Sequence, residues 1–217
     1  PRPELFIKRD DIAFGYESRT AGCPTLVLPH LHVAHAEIGS PSYVYFDLRN
    51  ELIMRAVAGE TLAIAPRHLR EIAQAALVCL QRDRQVMINR AMADFLAGPE
   101  ALARLDHGAL LRELGRIASR PVPLPAGNTR DAPGPARRGS ARDFFRLGAW
   151  RGKGLGPVLD DPLWQLAGRS RYVERQPWTD QGIPRRRDLR GLWHYARALI
   201  LIGRIARRLD RLRTAYR

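Results

Sequence analysis

The chain has 217 residues, of which 45% are hydrophobic and 27% charged, and it carries a formal net charge of +14 at pH 7. That composition predicts an ordinary folded protein of one or two small domains. It excludes a membrane-spanning chain, because no apolar run approaches the ~20 residues a span needs. Pro1-Arg-Pro-Glu lacks the apolar stretch of a secretory signal, and the two cysteines, Cys23 and Cys79, make neither a metal cluster nor a disulfide framework. A cytoplasmic location with reduced thiols is the expectation.

The charge is unevenly placed. Residues 1–120 hold fifteen basic and fourteen acidic side chains, whereas residues 121–217 hold twenty-one basic and eight acidic. The positive charge is 34 Arg against two Lys, Lys8 and Lys153. Arginine grips phosphate with a planar fork and stacks on bases. So few lysines argue against a lysine nucleophile or a Walker-type phosphate loop, and the glycines around Lys153 lack P-loop spacing. A balanced scaffold followed by a basic part predicts a polyanion-binding surface, for DNA, RNA, an anionic membrane or an acidic protein.

In chain order, Leu5–Ile7, Ile12–Phe14 and Thr25–Leu28 read as short strands. Tyr43–Phe46 reads either as a fourth strand or as the start of the following helix. Asp47 is a plausible cap for a helix over 48–58, ended by Gly59. Pro66 opens a helix over 67–97, with Leu69, Ala73, Ala76, Leu80, Met87, Ala91 and Phe95 on its apolar stripe, and Gly98-Pro99 stops it. Asp83 falls on that stripe, which predicts a bend or a buried polar contact near residues 81–84. A further helical stretch covers 100–118 and weakens at His107-Gly108. Five prolines in the fifteen residues 121–135 then mark a linker. Beyond it, Asp143 caps residues 144–147, Asp160-Asp161-Pro162 opens a two-turn helix, and Asp188 caps a long helix from Leu189 to about Tyr216. The resulting fold class is α+β and predominantly α-helical. It comprises a scaffold over 1–120 with a small β-containing N-terminal part, a Pro/Gly-rich linker over 121–142, and a basic Arg/Trp-rich helical module over 143–217.

On the last helix, Arg190, Arg197, Arg204 and Arg211 recur every seven residues, and Arg208 shares their sector. Leu192, Ala196, Leu199, Ile202, Ala206 and Leu209 lie opposite, while Leu201, Ile205 and Leu212 fall near the arginines. The triplet Arg185-Arg186-Arg187 precedes the helix N-terminus, where cations are unfavourable and a bound anion would relieve them. All four tryptophans follow the linker. Trp150 and Trp178 sit in polar, Gly- or Pro-flanked surroundings that suit base stacking, and Trp164 and Trp193 sit at apolar helix positions that suit a core.

The sharpest enzymatic lead is Pro29-His30-Leu31-His32-Val33-Ala34-His35. On a strand His30 and His32 share a face and can hold a divalent metal. Over residues 26–35 this resembles the His-hydrophobic-His motif of HUH nucleases. The resemblance implies a Mg²⁺ or Mn²⁺ site at His30 and His32 and a nucleophilic tyrosine, for which Tyr195 is one helical candidate. The same string also resembles the metallo-β-lactamase motif, with Ala34 in place of its aspartate. No family resemblance extends over a sizeable length. The leading expectation is therefore a non-catalytic nucleic-acid-binding protein, with no cofactor, working with other proteins of a replication, mobile-element or ribonucleoprotein assembly. Its expected contacts are Arg185, Arg186, Arg187, Arg190, Arg197, Arg204, Arg208, Arg211, Trp150 and Trp178. The alternatives are a metal-dependent HUH-like nicking enzyme and a structural protein whose arginine helix docks on an acidic partner.

Overall fold

The apolar stripe predicted over 67–97 is real, but the helix under it is broken in two. In the computed structural model, which describes residues 10–23, 42–58, 65–124, 158–159, 171–175, 181–186 and 188–216, the chain turns sharply at Leu80. There the Gln81 N–H reaches back to the Ala76 carbonyl at 2.9 Å, closing a Schellman-like turn around Leu80 at φ 52°. Glycine usually takes that left-handed conformation. Here the leucine side chain is buried with Leu77 and Cys79, and Leu192 and Tyr195 pack against them, which offsets the backbone cost.

The elements in order are α1 (Asp10–Thr20), α2 (Tyr43–Ala58), α3 (Ala65–Val78), α4 (Arg82–Ala97), α5 (Pro99–Ala103), α6 (His107–Ile117), β1 (Val122–Pro123), β2 (Val158–Leu159), β3 (Arg171–Arg175), β4 (Gln181–Arg186), α7 (Leu189–Arg207) and α8 (Leu209–Tyr216). Among the described residues the chain is predominantly helical, as the sequence predicts, with one small sheet that the sequence reading did not place: β1 falls in the predicted linker, and β2, β3 and β4 fall in the module predicted to be helical. The strands lie in the order β1-β4-β3-β2. β4 runs antiparallel to both neighbours, with Val122 opposite Gly182 and Val173 opposite Pro184, and β2 is parallel to β3.

Helix α4 is the axis of the core. Met87, Ile88, Ala91, Met92 and Phe95 are all buried on it, which requires neighbours on several sides. It packs against α2, α3, α5, α6 and α7. One continuous apolar cluster runs from Tyr45 on α2 through Phe95 to Ile202 and Ile205 on α7 and Tyr216 on α8. α7 and α8 lie after the linker and complete the apolar cluster begun before it.

Other expectations change as well. Residues 12–14 belong to α1 rather than to a strand. Tyr43–Phe46 are the first turn of α2, one residue after Ser42, so Asp47 lies inside the helix and does not cap it. The weak point at His107-Gly108 is a helix start: the Asp106 carboxylate accepts from the Ala109 N–H at 2.9 Å and opens α6. Asp188 caps α7 as predicted, but the single helix expected to about Tyr216 is interrupted at Arg208 and resumes as α8. The candidate strands at 5–7 and 25–28 and the short helices at 144–147 and 162–167 lie outside the described residues.

The closure of the bundle at Tyr216 is testable. Its ring stacks on Phe95 at 4.9 Å between centroids, and its buried hydroxyl donates to the Phe95 carbonyl at 2.7 Å. That carbonyl also accepts from the Gly98 N–H, so it keeps a partner when the hydroxyl is removed. Tyr216→Phe is expected to cost only ~1 kcal/mol. Tyr216→Ala removes the stack and leaves a cavity, at about 3–5 kcal/mol. Urea denaturation of the two variants measures the difference.

Candidate functional site

A strand alternates its side chains, and β4 uses that alternation to present Ile183 and Arg185 inward and Arg186 outward. Asp83 waits in the first turn of α4, just past the turn at Leu80. Its Oδ1 accepts from Arg185 Nη1 at 2.6 Å, and both side chains are nearly withdrawn from solvent, at 2% and 4%. The Arg84 N–H donates to the same oxygen at 2.9 Å, and the Ser119 N–H donates to Oδ2 at 3.1 Å. Arg185 also reaches Ser119 Oγ at 3.4 Å. Burial by itself would raise the Asp83 carboxyl. The Arg185 charge and the Ser119 and Arg84 hydrogen bonds override it and hold the group below its ordinary 3.8. The buried polar contact predicted near residues 81–84 is this one.

Arg185 is therefore an internal ion-pair partner and is not open to a phosphate. The anion at the α7 N-terminus is the protein's own. Asp188 accepts from the Arg190 N–H at 2.8 Å and from Arg82 Nη1 at 2.6 Å. Arg186 is exposed at the end of β4. Arg190, Arg197, Arg204, Arg208 and Arg211 are exposed on α7, its C-terminal end and α8, so the structure does bring this stripe to one surface. Leu201, Ile205 and Leu212, beside the stripe, are buried; Ala196, Leu199 and Ala206, predicted to face the core, are exposed. Trp193 is likewise on the surface, at 59% exposure, with the Arg197 guanidinium 5.6 Å from its ring centre. Arg187, His30, His32, His35, Trp150 and Trp178 lie outside the described residues.

Two buried polar groups escaped the sequence reading. Arg49 on α2 is 2% exposed and lies 5.3 Å and 5.2 Å from the ring centres of Tyr45 and Phe46, with its Nε donating to Asn50 Oδ1 at 3.0 Å. Beside it the Tyr45 hydroxyl donates to Asp94 Oδ2 at 2.7 Å, and Arg90 links Asp94 to Glu113. Burial and the Asp94 charge push the Tyr45 phenol upward, so it remains a neutral donor. The i,i+4 spacing of Tyr45 and Arg49 is the signal that points to their contact. The second group lies between α4 and α7. Asn89 Nδ2 donates to the His194 carbonyl at 2.9 Å. One turn away Gln85 faces Gly191, where an added Cβ would meet the Gln85 Oε1 at 3.3 Å. Desolvation first, and then the charges of Arg82 and Arg197, lower the His194 imidazole below its ordinary 6.5, against a smaller opposing effect of Asp188.

Several carboxylates of this framework pair with arginines: Glu51 with Arg55, Asp94 with Arg90, Asp188 with Arg82 and, at the surface, Glu71 with Arg67. Among the described residues no three His, Cys, Asp or Glu side chains gather as a metal site would require. No described helix is long and apolar enough to cross a membrane.

No protein-family model matches the chain. Two curated proteins are similar to part of it. Galactofuranosyltransferase GlfT2 of Mycobacterium tuberculosis is 31% identical over 116 residues, which is 49% of this chain and 18% of that protein. Galactofuranosyltransferase GlfT2 of Mycolicibacterium smegmatis is 33% identical over 113 residues, 49% of this chain and 17% of that protein. The similarity thus spans less than a fifth of the length of these relatives. It corrects the expected function. The relatives are glycosyltransferases by name, which points away from nucleic-acid binding and from strand nicking.

Two outcomes follow from the buried groups. Asp83→Asn leaves Arg185 buried beside a neutral amide and is expected to cost about 3–5 kcal/mol, while Asp83→Leu combined with Arg185→Met recovers much of the loss. Because the native Asp83 carboxyl is lowered, the pair stabilises fully above the ordinary carboxylate value of 3.8, and its contribution drains as pH falls through the lower native value. Thermal melts of the wild type and variants at neutral and acid pH read both effects. For His194 the native state also binds the proton more weakly than the unfolded chain. Stability therefore falls as pH drops from 6.5 toward the lower native value. His194→Gln should flatten that part of the melting-temperature profile.

Proposed function

We propose that the chain is a helical structural part of a galactofuranosyltransferase-type protein, and that it supports sugar transfer without supplying the reacting groups. The observation that carries this reading is the 31–33% identity to two galactofuranosyltransferases over about half of the chain. The geometry agrees with a supporting role. The buried Asp83–Arg185 and Tyr45–Asp94 contacts tie helices and strand together and leave their polar atoms facing inward. Groups that act on a substrate need to be reachable by it, and these are not. A cytoplasmic location is part of this proposal, and the free thiols of Cys23, exposed, and Cys79, buried, are compatible with it.

A segment exchange tests the proposal. The aligned part of the Mycobacterium tuberculosis enzyme is replaced by the corresponding part of this chain, and galactofuranosyl transfer by the chimera is followed. The chimera is expected to fold and to keep transfer within about tenfold of the parent, since a supporting part stabilises the catalytic geometry without touching the reacting atoms. A chimera with native circular dichroism and melting temperature but no transfer would overturn the reading.

A further inference from the structure

Helix α7 has two apolar sides, and the fold uses one. Gly191, Ala198, Leu201, Ile202 and Ile205 are buried against the bundle. Leu189, Trp193, Ala196 and Ile200 follow one another by four, three and four residues, so they form a second stripe along one face. Its large members stand in solvent: Leu189 is 66%, Trp193 59% and Ile200 56% exposed, with Leu199 at 40% beside them. These are four of the five large exposed hydrophobic side chains among the described residues. At 1.5 Å per residue the stripe is about 16 Å long.

Within α7 the charge beside the stripe has one sign, and Asp188, which precedes Leu189, is paired with Arg82. The exposed Arg190, Arg197 and Arg204 border it on one flank, and Arg207 closes its C-terminal end. No Asp or Glu occurs anywhere in Leu189–Arg207. Two copies pressed together through this face would bring their arginine rows into the same contact with no acid to balance them. The occupant must therefore be apolar at its centre and anionic at its edge. We propose that α7 is an interfacial helix that lies on an anionic phospholipid surface, with Leu189, Trp193 and Ile200 entering the headgroup–acyl boundary and Arg190, Arg197, Arg204 and Arg207 on lipid phosphates. A tryptophan ring with a guanidinium over its face suits that boundary, where one side is apolar and the other wet. A convex helix with a narrow apolar stripe and an arginine flank lies in the interface plane and does not cross it. The proposal rests on α7 and not on the galactofuranosyl reading.

The test is co-sedimentation of the full chain with vesicles of phosphatidylcholine, with and without phosphatidylglycerol, and with tryptophan fluorescence recorded in parallel. The wild type is expected to bind the mixed vesicles, with a blue-shifted emission, and to release as salt is raised. Changing Arg190, Arg197 and Arg204 to Gln should weaken binding roughly fivefold per residue, on the order of 100-fold together. Trp193→Ser with Ile200→Ser should weaken it by about tenfold or more at unchanged charge. All five side chains are exposed, so circular dichroism and melting temperature should not move; Ile200→Asn by itself carries the same expectation at smaller amplitude. Absence of wild-type binding, equal binding to neutral vesicles, or full binding by both sets of variants would overturn the proposal. So would a wild-type dimer in analytical ultracentrifugation that the Trp193/Ile200 variant dissolves, which would assign the face to a second copy. A failed segment exchange with intact vesicle binding would leave this inference standing while removing the functional reading.

Discussion

A charged side chain taken out of water needs an opposite charge and hydrogen bonds to its remaining atoms, and the Asp83–Arg185 pair imposes that need on a large part of this fold. The two residues lie 102 positions apart. Their contact fixes the inward face of β4, and with it the register that places Ile183 beside Arg185 on the same side. It also fixes where α4 begins, because Asp83 and the Arg84 N–H must both reach the same site. Ser119, just past the end of α6, is held by the other carboxylate oxygen. Three separate segments are thus tied by one carboxylate. Breaking such a pair from one side strands the partner, so the elements around it stand or fall together.

Around that tie, α4 organises the helices. A helix with buried residues on several of its sides must be covered from several directions, and residues far apart in sequence supply the cover. α2 and α3 come before it, and α7 and α8 come from the far side of the Pro-rich segment. The polar seam of Gln85, Asn89 and His194 shows how close α4 and α7 come. At Gly191 an added Cβ would sit 3.3 Å from the Gln85 Oε1, so a side chain there requires the Gln85 amide to shift by a few tenths of an ångström. Where the two helices pack, desolvation makes His194 a poor proton acceptor and couples the seam to pH.

The arginines illustrate how far composition can mislead about a partner. An arginine stripe reports positive charge, and nucleic acid is one anion among several. The similarity to galactofuranosyltransferases removes that reading, and the exposed hydrophobic residues beside the stripe describe a surface of mixed character. Leu189, Trp193 and Ile200 have no reason to face solvent in a helix whose work is confined to its own core.

Much of this protein was legible in local sequence signals. The predominantly helical class followed from the three- and four-residue spacing of apolar positions over 67–97 and 189–216, and the stops and starts at Gly98-Pro99 and Asp188 followed from backbone chemistry that acts within a few residues. Asp83 on an apolar stripe announced a buried contact because a lone carboxylate does not enter a core unpaired. The partner was not legible, since Arg185 looks like any member of a basic triplet until β4 is laid against α4. Which side of α7 is buried was misjudged from its own pattern: Ala196, Leu199 and Ala206, set opposite the arginines, are exposed, and Leu201 and Ile205, beside them, are buried. Tertiary packing chose the Ala198–Ile202–Ile205 side, because that side meets α3 and α4, and it left Trp193 outside. The sequence by itself determined the predominantly helical class, the Asp188 cap and the Gly98-Pro99 stop, and the charge each segment carries. The tertiary structure decided which arginine is internal and which hydrophobic residues are external, because those choices depend on long-range contacts that a local spacing does not encode.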